Sequence, residues 1–595
     1  MKNGFRRFGA AALAAISVLA AAVLSACERG SNGQGNFKVE YIRASRSYAI
    51  AGFTGVEQDI VIPQRIRRLP VTYIHPNAFA GRNITEVCFP ETVTQIGAGA
   101  FANNLLTSVT IPGGVTHIMG EAFANNLLES VVFHDGVVSI LASAFAGNRL
   151  ESVDLPDGLS RIGSRAFADN LLESVVLPDS VTSIGVDAFE RNRIVSVSIS
   201  GSLVSIEPRA FMGNLIESLV IPSSVESVGF HAFSGNRLTS LTVGAAVIEE
   251  FAFQDNLLES LVILDGVTSI ASWAFSNNRL ASVAIPGSVD RIGSRAFSNN
   301  LLESVVIQDG VRGIEHTAFV DNRLASVVIP DSVTYIGIAA FESNRLTNAT
   351  ISGNLARIEA SVFMDNLLES VVIPGSVRTI GDSAFAGNRL ESVVIPYGVI
   401  RIEQWAFAGN LLESIAIPDS ISEIGTGAFA GNRLESVAIP DGIIRIEHWA
   451  FTGNLLESIA IPDSVSEIGT GAFADNLLEG ISIPYGMRSI GESAFENNRL
   501  ERAAIPGSVS EIGNYAFADN QLESITIPGS VTSIGSDAFA GNPLTEITVE
   551  GGETEIELGG LWPDCRWEAF AEFYSQSPAP GVYLWDGAGW NFQGM

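Results

Sequence analysis

The stretch NLLESVVIPGSVRTIGDSAF, residues 366–385, decides the fold, because its pattern returns along almost the whole chain. The phenylalanine that closes it belongs to an Ala-Phe pair (Val-Phe at Phe363) found at Phe79, Phe101, Phe123 and onward to Phe539. There are 22 copies, spaced 22 residues apart except for an interval of 20 between Phe233 and Phe253. Self-similarity at this period is the mark of a solenoid.

Counted from each Phe, apolar residues stand at +5, +8, +10, +14, +17 and +21, as in Leu368, Val371, Ile373, Val377, Ile380 and Ala384 after Phe363. The piece Leu-x-x-Val-x-Ile ends in period-2 alternation and predicts one short strand per copy, with Val and Ile pointing inward. Pro follows it in 15 copies, Pro374 among them, and ends the strand because it has no N–H to donate. Val-x-x-Ile-Gly predicts a second short extended segment, and the Ala-Phe step a tight helical turn.

A single copy cannot bury its own apolar residues, but copies stacked about 4.8 Å apart can set each side chain on its counterpart. Phe then forms one spine. Asn forms another, standing three residues after the Phe in 21 of 22 copies, with Arg82 the exception. A buried amide there can donate to and accept from the backbone of adjacent coils. No acid, base or nucleophile is fixed beside it, so the row reads as structural rather than catalytic. The two missing residues before Phe253 predict a local kink or bulge.

This pattern resembles the leucine-rich repeat superfamily, and within it the bacterial BspA-like or Treponema-type repeats: Leu-x-x-Leu-x-Leu-Pro, a middle Ile-Gly, then Ala-Phe and a closing Cys or Asn. Residues 366–385 match nearly position by position, with Asn in the closing place, and the likeness runs roughly from Ile60 to Val549. It implies an α/β repeat solenoid, a leucine-rich repeat array of about 22 coils, mostly β and loop, with caps at both ends. It also implies a bacterial surface protein that contacts extracellular matrix or other microbes.

The flanks read differently. Residues 1–26 carry Lys2, Arg6 and Arg7, an Ala-rich apolar run and then Leu24-Ser25-Ala26-Cys27, the layout of a secretion signal. The last four residues look like a bacterial lipobox, which would lipidate Cys27 and leave the mature chain held in a membrane by acyl chains rather than by a helix. Residues 27–36, rich in Gly and without large apolar side chains, read as a flexible tether. Residues 37–77 anticipate the repeat with altered spacing, as a first coil and cap should, and residues 78–549 are the array. Residues 550–595 hold four of the seven Trp, and Gly581 to Trp590 predicts a hairpin with Asp-Gly in its turn. This aromatic ending reads either as a cap over the last coil or as a docking module for a glycan. Cys88 in the first strand and Cys565 beyond the last lie too far apart to be bridged, so the array is expected to rely on stacking rather than disulfides.

The net charge of −31 makes nucleic acid a poor partner. Position +6 is often Glu, as in Glu369, Glu391 and Glu413, and +4 is Arg in nine copies and Leu in ten. Arg side chains lying over Leu and pairing with the Glu row are therefore expected. The outward strand positions hardly vary: +7 is Ser in 17 copies and +9 is mostly Val, Ala or Thr. Such a face suits multivalent adhesion or self-association over one specific small ligand. Candidate contact residues are Ser370, Val372, Ser392, Val394, Ser414, Arg389 and Arg433, with Trp585 and Trp590 in the ending. The six His are scattered, and no phosphate-cradling Gly loop precedes a helix, so neither metal, cofactor nor catalytic centre is suggested. The reading is a secreted, lipid-anchored, non-catalytic adhesin or interaction scaffold at the bacterial outer membrane or cell surface, binding proteins or glycans on host or microbial surfaces. Its alternative is a coat protein that associates laterally with itself.

Overall fold

Each 22-residue copy builds one coil with two short strands, and the same positions of successive coils meet in register. In the computed structural model, which describes residues 36–551, 554–557 and 566–594, the front strand is the predicted one. Ser370–Val372 pairs in parallel with Ser392–Val394, residue on equivalent residue. The back strand is the second extended segment: Thr379–Ile380 pairs in parallel with Arg401–Ile402. Val371, Val377 and Ile380 point inward and are buried, whereas Ser370 and Val372 face out.

The chain falls into two units, Met1–Leu301 and Leu302–Met595. In the first, the back strands from Leu69–Ile74 to Arg291–Ile292 form one uninterrupted ladder, while the front strands fall into short groups such as Ser218–Ile221, Ser240–Val243 and Ser260–Ile263. In the second, Arg357–Ile358 to Glu423–Ile424 and Arg445–Ile446 to Glu555–Ile556 make two back ladders.

The core holds the two predicted spines. The Phe rings stack from coil to coil, as in Phe407 on Phe429 at 5.6 Å between centroids and 2° between planes. The Asn side chains are buried and fully used. Asn366 Nδ2 donates to the carbonyls of Phe341, Phe363 and Met364 at 2.9, 3.2 and 3.1 Å. Its Oδ1 accepts from the Leu346 N–H at 3.0 Å. Each amide thus ties two coils together, and it supplies the partner of a buried N–H, Leu346 in this copy.

The Ala-Phe step is a turn but not a helical one. In every copy the residues two before and two after the Phe have positive φ, for example Ser383 at 53° and Gly387 at 66°. The later position is Gly, Asn or Asp in 20 of 22 copies, the residues that tolerate this conformation best. The earlier position is usually neither, and its residue is held there by bonds between coils, such as Ser383 N–H to the Gln404 carbonyl at 2.8 Å.

The shortened coil makes no bulge. Its two residues are lost from the connector between front strand Ser240–Val243 and back strand Val247–Ile248. Both ladders keep register across it, the back one with Ser227 on Val247 and Val247 on Ser269, the front one with Ser218 on Ser240 and Ser240 on Ser260. Asn256 still reaches the Phe233 carbonyl at 2.9 Å, so the connector absorbs the deletion and the expected kink does not arise in the pairing.

Both ends of the described array are closed. An antiparallel hairpin, Phe37–Ile42 with Ser47–Phe53, joins the back ladder, and Phe53 and Phe37 sit against Phe79. At the other end, strand Gly581–Trp585 pairs antiparallel with the last front strand, Glu546–Val549. The predicted hairpin is present, Trp590–Phe592 returning on Gly581–Trp585. Helix Arg566–Gln576 lays Trp567 on Phe539 at 4.7 Å and buries Phe570 and Tyr574. Cys88 is disulfide-bonded, with its partner outside the described residues. Stacking is therefore not the only constraint on the array, contrary to expectation. Cys27, the signal, the tether up to residue 35, Trp562 and Cys565 lie outside the described residues.

One buried carboxyl sits under the C-terminal cap. Asp537 is 1% exposed and faces the Tyr515 hydroxyl, and burial, only partly opposed by that hydroxyl, pushes its pKa up, as burial does for Glu568 on the cap helix. A folded state that holds these protons more tightly than the unfolded chain is most stable below the unfolded carboxyl pKa, and it loses that stability as pH rises through the folded pKa. Asp537→Asn is expected to flatten this dependence and stabilise the cap at neutral pH. Hydrogen exchange over residues 566–576 at acidic and neutral pH checks it; an unchanged pH dependence counts against the assignment.

Candidate functional site

The front face brings the predicted contact residues together. Ser370, Val372, Ser392, Val394 and Ser414 stand on adjacent paired strands with side chains outward. Val372 and Val394 are 81% and 78% exposed. An exposed apolar row of this kind, rimmed by hydroxyls, is a common feature of contact surfaces. In the first unit the same face carries a recess of about 470 Å³, lined by Ser218, Ser240, Ser260, Val220, Val262 and Pro222.

Arg389 and Arg433 border this face and are exposed, but the predicted pairing is absent. Among the described residues no ion pair joins any +4 arginine to a glutamate; the arginines that do pair lie on the back strands and in the turns before and after the Phe. Two exposed, flexible side chains gain too little from pairing to offset the loss of their freedom. The double change Arg389→Ala, Arg433→Ala is therefore expected to leave stability within about 0.5 kcal/mol of the parent by urea unfolding, and a larger loss would reinstate a structural role.

The aromatic ending resolves toward a cap. Trp590 is 5% exposed and its Nε1 donates to the Arg566 carbonyl at 2.8 Å, so it is a packing residue and not a contact residue. Trp585 is half-buried, with the Arg566 guanidinium 5.8 Å from its ring. The turn is set by Asp586, whose carboxylate accepts from the N–H groups of Ala588 and Gly589 at 2.9 Å each. Those bonds, with one from Asn591, hold its pKa below the usual value.

Sequence reasoning missed a different row, two residues before each Phe. It is far more varied than the front face: in the first unit it runs Arg165, Asp187, Arg209, His231, Phe251, Trp273, Arg295 over successive coils. Neighbours along it touch. Arg209 holds Asp187 at 2.6 Å, which keeps its guanidinium pKa above the ordinary value. His231 stacks on Phe251 at 4.7 Å, Phe251 on Trp273 at 5.9 Å, and the Arg295 guanidinium lies 4.6 Å from the Trp273 ring. Burial, then the charge of Arg209, lowers the pKa of His231. The signal was present as variety at one offset of an otherwise uniform repeat.

Among the described residues no group of His, Cys, Asp and Glu is arranged to hold a metal ion, and no helix is long and apolar enough to cross a membrane. A family model described as BspA type leucine rich repeat region (6 copies) matches residues 58–172, 138–249, 246–368, 356–478 and 446–559. No curated protein matches the sequence. Similar solved structures include a leucine-rich repeat protein from Bacteroides ovatus, 19% identical over 73% of this chain and 100% of that one, with a TM-score of 0.41. Another is a leucine rich cell surface protein from Faecalibacterium prausnitzii, 20% identical over 74% of this chain and 94% of that one, with a TM-score of 0.29.

Proposed function

We propose that this chain, which belongs to the BspA-type leucine-rich repeat family, is an interaction scaffold on a bacterial surface that adheres to host matrix or to other microbes through its front face. The observation that carries the reading is the outward row of Ser and Val, repeated at coil spacing and left bare, with Val372 and Val394 nearly fully exposed. A contact that is weak at one coil gains strength when many coils engage a repetitive surface together.

The test is saturable binding of the chain to immobilised matrix proteins and to whole cells, repeated with Val372→Asp, Val394→Asp. Loss of binding in the variant supports adhesion through this face. Concentration-dependent ordered assembly of the chain alone, with no binding, supports the coat instead.

Anchoring belongs to the same proposal: Cys27 carries the acyl chains that hold the scaffold in the membrane. Cys27→Ala is expected to abolish acyl labelling and release the protein from the cell. A sulfur in a thioether cannot also form a disulfide, so acylation of Cys27 and a Cys27–Cys88 bridge exclude each other. Mass analysis of the peptide containing Cys88 separates them, and a Cys27–Cys88 cross-link would remove the lipid anchor from the reading.

A further inference from the structure

The second unit contains a surface motif twice, two coils apart: Ile400-Arg-Ile-Glu-Gln-Trp405 and Ile444-Arg-Ile-Glu-His-Trp449. It lies on the back strand and the turn before the Phe, so it belongs to a different face of the coil from the Ser and Val row. Both copies leave their apolar ends in water. Ile400 and Ile444 are 49% and 66% exposed, Trp405 and Trp449 37% and 42%. The coil between them carries Gly427 at the Trp position, and the coil after Trp449 carries Gly471. A methyl on Gly427 would collide with the Trp405 ring, and one on Gly471 with Trp449. The glycines let each indole lie down over the next coil, and the two rings align at 6.3 Å with 21° between their planes.

We infer that this duplicated Trp surface binds a linear, uncharged polysaccharide. Three observations favour that ligand. First, the two nearly parallel indoles, 6.3 Å between centroids, make one aromatic platform out of a motif repeated along the stack, which suits a polymer of repeated rings. Second, indole faces suit the C–H faces of sugars. Charged groups beside them, Arg401 on Glu423 at 2.8 Å and Arg445 near Glu467 at 3.2 Å, offer planar donors and acceptors to ring hydroxyls. Third, carboxylates outnumber guanidinium groups on this surface, with Glu403, Glu423, Glu447 and Glu467 against Arg357, Arg401 and Arg445. The whole chain carries −31. Both facts repel acidic glycans.

This inference rests on the scaffold reading but uses other residues, so the two fail separately. The experiment is native electrophoresis of the full chain in gels containing hydroxyethyl cellulose, glucomannan or dextran, with alginate as the acidic comparison. Retardation by at least one neutral polymer and not by alginate is expected. Trp405→Ala, Trp449→Ala should weaken it about tenfold or more, as loss of two buried-on-binding aromatics does, while Val372→Asp, Val394→Asp leaves it unchanged. Gly427→Ala, which displaces the Trp405 ring without removing it, should weaken it as well and guards against misfolding of the double variant. Mobility unaffected by every neutral polymer, retardation by alginate, or a Trp double variant that is retarded like the parent overturns the assignment. So does a Trp-dependent protein partner without any polysaccharide effect.

Discussion

Asn366→Ala is expected to cost about 2 kcal/mol and to loosen the chain only around that coil. The substitution leaves the buried Leu346 N–H without a partner and takes one of two donors from each of the carbonyls of Phe341, Phe363 and Met364, which keep Asn344, Asn388 and the Ser343 N–H. Each buried group left without a partner costs about 1–3 kcal/mol, partly relieved by relaxation and water. Asn366→Asp should be worse than alanine although it is closer in shape. It keeps the acceptor for Leu346 but turns a carboxylate toward three carbonyls in a site only 3% exposed. Urea unfolding gives the total. Hydrogen exchange gives the location, which should be confined to the mutated coil and its neighbours because contacts in a stack are nearest-neighbour. A loss under 1 kcal/mol, or protection lost uniformly along the chain, would show that the amide row is not what joins the coils.

Phe407→Ala should cost about 3–5 kcal/mol, the usual range for emptying an aromatic site in a packed core. The ring is fully buried, 5.4 Å from Phe385 and 5.6 Å from Phe429, and stacked pairs add about 0.5–1.5 kcal/mol beyond area burial. Phe407→Leu, which keeps most of the volume, should cost markedly less. The informative comparison is a double-mutant cycle. Phe407 with Phe429 should be non-additive, because one cavity borders the other, whereas Phe407 with Phe517, several coils away, should add within about 0.5 kcal/mol. Equal additivity in the two pairs would deny that the rings act as a continuous column.

The sequence made the coil legible because the same offsets recur 22 times, and each recurrence votes for the same side. Leu368, Val371 and Ile380 announce burial by their spacing, and Asn366 announces itself by being polar among them. Three things were not legible. The helical turn expected at Ala384-Phe385 is instead flanked by residues of positive φ, and nothing about Ser383, Trp405 or Arg209 advertises that backbone. Bonds from the next coil impose it. The Arg–Glu pairing of Arg389 and its equivalents failed because proximity in sequence says little about exposed charges that prefer water. Trp590 looked like a contact residue by composition and is a packing residue by place, since the last coil must be covered by something large and apolar.

The varied row two residues before each Phe has a further effect. Coils that offer the same Phe and Asn to any neighbour give a folding chain no means of telling its proper neighbour from the one after it, so a loop of one whole coil could be skipped at little loss of core contacts. The partners that occur once, Asp187 with Arg209, Phe251 with Trp273, Trp405 with Trp449, work as matched keys. They penalise a misthreaded chain in the way that specific pairs suppress strand slippage in sheets. The same side chains that give the surface its individuality would then also count the coils.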